Sequence, residues 1–424
     1  MTLIAHLSDI HLGKRQYNID FRENDVYELF NEAIDIILKE HIKLVIISGD
    51  LFDEYRPKNK ALKIAIDGFR KLREHGIKII LMPGDHDMPR SREMISFLIF
   101  ESIFDNVVLL STPNEYQTKY VDSNNKVAIY AIPYLRNKIK ARKTMPLFLD
   151  YASAFFREHK DLRKILMAHY SIEEFFPFDA MFSISDLPAV DYAAFGHIHN
   201  RILGVLPRGG VIGYPGSIDI FDMRDISDWE KNGKGFYIVD LSGKPDLSMV
   251  QKIDLNIRPQ FNIEADRSNI LSRLKELINN LGPEVKKPVI VNLSIRIRRG
   301  SGSNIRNLYQ LFKNDIVLRI HPIFIEEEKR IDYSSMEIFD EKEILSKYMD
   351  APMDVADVVY ELVEALSKGD IGSQEIIAMI KSIMEKWAKA KSITKISIDV
   401  PKDIDRRSGE KRIIKRKDGL LKYL

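Results

Sequence analysis

Leu44-Val45-Ile46-Ile47-Ser48-Gly49-Asp50-Leu51-Phe52-Asp53 sets how the rest of the chain is read. Four strand-forming apolar residues lead into Ser48-Gly49, where the backbone can turn sharply, and then into the carboxylate of Asp50. An unbroken apolar run of this kind marks a strand buried on both faces, as in a parallel sheet. Ligands of open α/β sheets bind just beyond the carboxyl ends of such strands. Asp50 is therefore expected at the mouth of a site.

The pattern recurs. Residues 3–8 lead into Asp9-Ile10-His11, and 77–82 into Pro83-Gly84-Asp85-His86-Asp87. Residues 164–168 lead into His169, and 193–196 into His197-Ile198-His199. Residues i and i+2 of an extended segment point the same way, so Asp9 with His11, and His197 with His199, can each grip from one side. Any one of these is an ordinary loop residue when taken alone. The repetition of one context across five runs, in a chain with 10 His, is what counts. Mixed imidazole and carboxylate donors suit Mn, Fe, Co or Zn better than Ca or Mg. The pool exceeds what one ion needs. Two ions sharing a carboxylate, about 3.5–4 Å apart, are the natural arrangement and drive in-line displacement at phosphorus.

The ordered set Asp9-x-His11, Gly49-Asp50, Gly84-x-His86-Asp87, His169 and Gly196-His197-x-His199 resembles the calcineurin-like metallophosphoesterases. Within them, Asp9-Ile10-His11-Leu12-Gly13, Gly49-Asp50-Leu51-Phe52, Gly196-His197-Ile198-His199 and Tyr214-Pro215-Gly216-Ser217 are similar to the Mre-eleven type nucleases of DNA double-strand-break repair, the SbcD-like branch. The resemblance covers residues 9–217, about half the chain. It implies two divalent metal ions, with Mn2+ the expected pair. By this likeness Asp9, His11, Asp50 and His199 hold one ion, and Asp50, Asp85, His169 and His197 the other. His86 is implied to touch the phosphate or protonate the leaving oxygen, and Asp87 to orient His86 by a hydrogen bond. Two positions depart from the family pattern: Asp85 stands where Asn is common, and Asp53 where His is common. The added charge of Asp85 is expected to tighten metal binding and weaken Lewis acidity. Neither change removes a ligand.

At 424 residues the chain calls for two or three domains. Its net charge of +2 gives no bulk attraction to nucleic acid, so DNA contacts must come from local patches. It has no Cys, which excludes disulfides and thiolate metal sites. No signal peptide and no spanning apolar run stand out, and a cytoplasmic, nucleoid-associated protein is expected.

The expected fold class is α/β: a metallophosphoesterase two-sheet sandwich flanked by helices over 1–255, a small α+β capping domain over 256–330, a linker over 331–350, a C-terminal helix pair over 351–392 and a basic tail over 393–424. Residues 24–40 and 59–75 carry apolar side chains at helical spacing. Residues 233–241 and 247–255 read as a hairpin that completes the second sheet. Residues 91–104 are apolar on more than one face, which fits a core helix or, by the resemblance, a homodimer contact. In the capping domain, helices are expected at 267–281 and 303–312. Arg296, Arg298 and Arg299 beside Gly300-Ser301-Gly302 read either as a charged strand edge or as a phosphate-contacting patch. In the helix pair, Val359, Leu362, Ile380 and Trp387 lie on apolar stripes with little core of their own, so a partner groove is preferred over docking on the same chain. The resemblance implies that the partner is a Rad-fifty type coiled-coil ATPase.

The function expected is a Mn-dependent DNA nuclease, a 3′-to-5′ exonuclease and single-strand endonuclease acting on double-strand ends and single strands. The alternatives are another metallophosphoesterase acting on small molecules, and a scaffold subunit with weakened catalysis.

Overall fold

The computed structural model describes residues 2–89, 95–112, 117–266, 268–282, 285–298, 316–325, 341–349, 351–368 and 373–390. Arg299, the helix expected at 303–312, residues 91–94, most of the expected linker and the basic tail lie outside these. The chain divides into two compact units, Met1–Glu326 and Glu327–Leu424.

In the first unit, two six-stranded sheets face each other. The first runs, in spatial order, Val250–Asp254, Gly235–Asp240, Leu3–Leu7, Leu44–Ser48, Lys78–Met82 and Val107–Leu109. Its last four strands are parallel, with Ala5 opposite Val45 and Val45 opposite Ile79. The second runs Ile202–Val205, Val211–Tyr214, Tyr192–Gly196, Arg163–His169, Val127–Ala131 and Lys119–Asp122. The hairpin assigned by sequence to the second sheet pairs instead with Leu3–Leu7 in the first. Leu3–Leu7 would otherwise expose an unpaired edge, and Gly235–Asp240 covers it in antiparallel pairing.

Alternation along the strands explains the layers. Leu44, Ile46 and Ile80 pack between the sheets with Ile129, Ile165 and Tyr192. Val45, Ile47 and Ile79 point the other way, onto Phe30, Ala33 and Phe69 of the helices Asp20–Lys39 and Asn59–Glu74. On the far side the helix Lys138–Glu158 covers the second sheet through Met145, Ala152 and Phe156. Both faces of both sheets are thus buried, which is why their central strands read as continuous apolar runs.

From 91–104, the described helix is short, Leu98–Ile103. Phe100 is buried against Phe52, Phe69 and Phe97, while Ile99 and Ile103 are exposed.

The strands Gln260–Asp266, Val289–Arg298 and Ile316–Ile325 form a parallel sheet covered by the helix Ile270–Asn280, with Leu274, Val291 and Leu293 at its centre. A buried polar seam ties it to the first two sheets. Arg258 bonds both carboxylate oxygens of Asp25 at 2.7 and 2.9 Å, Arg22 bonds Asp25 at 2.7 Å and Asp219 at 2.5 Å, and Gln260 bonds Gln16 at 2.9 Å.

In the second unit, Glu341–Met349, within the stretch expected as linker, is a helix. Tyr360 of the following helix, Met353–Lys368, donates to Glu341 at 2.6 Å. A third helix, Ser373–Ala390, meets the second through Lys386 and the Asp354 carbonyl, 3.1 Å apart. Val359 and Leu362 are half-buried, whereas Ile380 and Trp387 are exposed. Among the described residues no helix is long and apolar enough to cross a membrane.

Candidate metal centre

The carboxyl ends of strands from both sheets converge on one point. Asp9 and His11 follow Leu3–Leu7, Asp50 follows Leu44–Ser48, and Asp85 and His86 follow Lys78–Met82. His169 ends Arg163–His169, and His197 and His199 follow Tyr192–Gly196, with Gly196 directly opposite His169. Asp9, His11, Asp50 and His197 all have positive φ, between 49° and 90°. Side chains rarely adopt that backbone, and such strain gathers at functional sites because the surrounding fold must hold it in place. Two glycines make the convergence possible. A Cβ on Gly49 would collide with the His169 ring, and one on Gly84 with the Asp50 carboxylate.

His169 Nε2 lies 3.3 Å from Asp50 Oδ2 and 3.1 Å from Asp85 Oδ1. Its Nδ1 donates to the Ser48 carbonyl at 2.8 Å, which leaves Nε2 as the atom facing the carboxylates. His197 turns Nδ1 to the same Asp85 oxygen at 3.1 Å, and its backbone N–H donates to the Asp9 carboxylate at 3.1 Å. On the other side His11 Nε2 faces His199 Nε2 at 3.2 Å and lies 3.7 Å from Asp50 Oδ2. The donor atoms fall into compact groups: Asp9, His11 and His199; Asp85, His169 and His197; Asp9, Asp50 and His169; and, with His86, Asp50 and Asp85 or His11 and Asp53. All seven residues read as ligands from the sequence are therefore brought together. Asp9, His11, Asp50 and His169 form a buried floor, while Asp85, His86, His197 and His199 remain partly open.

This donor set fits divalent cations. Burial alone would push the His169 imidazole towards neutrality, yet Asp50, Asp85 and Asp9 reverse that and raise it well above its ordinary value. Burial would raise Asp85 too, but His169 and His197 hold its carboxyl far below the usual range. His11 is driven the opposite way, lowered by burial and by its imidazole neighbours. The Asp50 and Asp85 carboxylates that raise His169 face its Nε2, where a cation would stand, and a bound metal would compete with a proton for that nitrogen.

His86 stands beside these donors and has further partners of its own. Its backbone N–H donates to Asp50 Oδ1 at 2.9 Å and its Nδ1 donates to the Asp53 carbonyl at 2.7 Å. Its Nε2 is 4.0 Å from Asp85 Oδ2. The Asp87 carboxylate does not orient this ring. It accepts from the backbone N–H groups of Gly84 at 2.9 Å, Phe52 at 2.9 Å and Leu51 at 3.3 Å, and so staples the two metal-bearing loops together. A buried carboxylate among unpaired backbone N–H groups bonds those first.

Three further carboxylates stand behind the imidazoles. Asp53 Oδ1 is 3.5 Å from His11 Nδ1 and 3.0 Å from Lys14; burial raises its carboxyl, but these partners outweigh burial and hold it at about 2. Asp179 Oδ2 is 3.3 Å from His197 Nε2, and Asp225 Oδ2 is 3.7 Å from His199 Nδ1. Carboxylates in this position fix which nitrogen of a ligating histidine faces the metal. Asp179 and Asp225 carry no signal in the sequence, since each ends a short turn with no motif around it. Arg296 and Arg298 lie at the end of Val289–Arg298, and their side chains lie outside the described residues.

Residues 2–201 match the family described as calcineurin-like phosphoesterase. The DNA double-strand break repair protein Mre11 of Methanococcus maripaludis is 36% identical over 379 residues, 86% of this chain and 95% of its own. That of Sulfurisphaera tokodaii is 38% identical over 65% of this chain and 68% of its own, and that of Methanocaldococcus jannaschii 33% over 86% and 94%.

Proposed function

The chain belongs to the Mre11 family of DNA double-strand break repair nucleases and is a metal-dependent phosphodiesterase, and from that premise we propose that it is a Mn2+-dependent 3′-to-5′ exonuclease and single-strand endonuclease acting at broken DNA ends. The position of Asp50 carries the proposal. Its carboxylate reaches towards His169 on one side and His11 on the other, as a ligand shared by two ions must. Asp9, His11 and His199 complete one ion's set, and Asp85, His169 and His197 the other's. Bound divalent ions supply a low-pKa water and neutralise phosphate charge. The residues do the rest. Ser48 fixes His169 and Asp179 fixes His197, so the donors are aligned before substrate arrives. His86, pinned through Nδ1 to Asp53, presents Nε2 at the open side, where it can give a proton to the leaving oxygen.

The same reading makes the chain a cytoplasmic homodimer through the segment around Ile99 and Ile103, with a Rad-fifty type ATPase held by the C-terminal helices. Arg296, Arg298 and Arg299 are assigned to the DNA backbone. The relatives align far beyond the metal centre, which favours this over a small-molecule phosphodiesterase. The test is cutting of end-labelled DNA with Mn2+, with and without the ATPase. Hydrolysis of a chromogenic phosphodiester with no cutting of any DNA would favour the small-molecule reading.

A further inference from the structure

The turn at Pro177–Asp179 sets two aromatic rings at the edge of the metal centre. Phe178 is 91% exposed and Phe176 is 46% exposed, with ring centroids 6.2 Å apart. A lone exposed apolar side chain is ordinary, but two phenylalanines side by side on one turn at the rim of a polar site offer an apolar face to a ligand. The next residue, Asp179, places its carboxylate 3.3 Å from His197 Nε2, which ties the turn to the metal-binding imidazole. Two cations reach the same rim. Lys138 pairs with Asp179, and Arg136 donates to the carbonyls of Asp85 at 2.8 Å and Met88 at 2.7 Å.

Aromatic faces beside cations are how proteins hold single-stranded nucleic acid: bases stack on the rings while the cations follow the phosphates. We infer that the Phe178 ring, with Phe176 set edge-on to it at 74°, is a stacking platform for an unpaired base next to the phosphate at the metal centre, with Arg136 and Lys138 facing the adjoining backbone. A paired base cannot present its face to a ring without leaving the stack, and unpairing costs a few kcal/mol. The platform therefore selects frayed or single-stranded DNA. This inference rests on the phosphodiesterase reading above and names the strand form that the site receives.

The test uses the full chain, a single-stranded oligonucleotide and an abasic strand of equal length, which keeps the phosphates and lacks the bases. Base stacking removed by alanine weakens binding about five- to 150-fold per base. Phe178→Ala should weaken binding of the oligonucleotide by that factor and leave the abasic strand unaffected, and Phe178→Trp should restore binding. The inference is overturned if Phe178→Ala binds the oligonucleotide as wild type does, if it loses affinity equally for both strands, or if wild type itself does not distinguish them. Wild-type hydrolysis of bis-p-nitrophenyl phosphate with Mn2+ reports separately on the phosphodiesterase reading.

Discussion

His11 Nε2 and His199 Nε2 face each other at 3.2 Å, although they follow strands of different sheets and lie 188 residues apart. Two imidazoles can share one proton across that gap, but the neighbouring Asp9 and Asp50 carboxylates make a cation the better bridge. Asp50, 3.7 Å from His11 and 3.3 Å from His169, is the ligand proposed to be shared. Asp50→Ala should therefore lose metal and activity together. Calorimetric titration with Mn2+ checks this, and two sites of undiminished affinity in the variant would rule out the shared ligand.

His86 separates binding from chemistry. With its Nδ1 held by the Asp53 carbonyl, its Nε2 is the nitrogen left for the proposed role of proton donor. His86→Ala should keep both metals and bind DNA, yet cut roughly 10²- to 10⁴-fold more slowly. Loss of one metal equivalent in this variant would place His86 among the ligands.

The metal centre was legible because its residues obey a rule visible in one dimension: an apolar run, a break, then a donor at i and often i+2. Its supports were not. Arg22 and Asp25 sit early in the helix Asp20–Lys39, off its apolar spacing, and both are buried. Periodicity shows which side chains prefer oil; it cannot show that a charged one will meet Arg258 or Asp219 from a segment some 200 residues away. The hairpin joins the first sheet and not the second for a related reason. Its alternation marks it as strands, and only the open edge of Leu3–Leu7 decides which sheet it joins.

That seam has a pH signature. Burial raises the Asp25 carboxyl, but Arg258 and Arg22 outweigh burial and hold it below its ordinary value. A carboxylate of lower pKa in the folded state adds stability above its unfolded value, about 3.9, and loses it as pH falls through the folded value. Asp25→Asn should cost about 3–5 kcal/mol at pH 7, the usual cost of breaking a buried pair. Thermal unfolding of both proteins from pH 7 towards pH 2 should show the gap closing. A gap that stays constant would remove Asp25 as its source.

Dimerisation has a surface to test. Ile99 and Ile103 are exposed on Leu98–Ile103, while Phe100 anchors that helix from beneath. Ile99→Asp with Ile103→Asp should give a folded monomer by sedimentation, because the altered side chains lie outside the core. A wild-type chain that is monomeric at micromolar concentration would refute the dimer.

The C-terminal helices present the last case. Val355 and Ala356 are buried, and the contacts of Tyr360 with Glu341 and Lys386 with Asp354 bind the three helices to one another. Yet Val363, Leu366, Ile377, Ile380 and Trp387 are left exposed. Fully burying one such side chain is worth about 1.5–3 kcal/mol, so a groove that covered three of them would gain several kcal/mol before the costs of association. Trp is enriched among the residues that dominate binding energy, which singles out Trp387. The helices belong to a unit separate from the metal centre, so removing them should spare the catalytic half. A chain ending at Glu326 should keep its metals and hydrolyse phosphodiesters but fail to bind a Rad-fifty type ATPase. In the full chain, Trp387→Ala should weaken that complex by at least about 1 kcal/mol, fivefold in Kd, with cutting by the isolated protein unchanged. A pull-down in which the shortened chain still retains the ATPase would move the partner surface elsewhere.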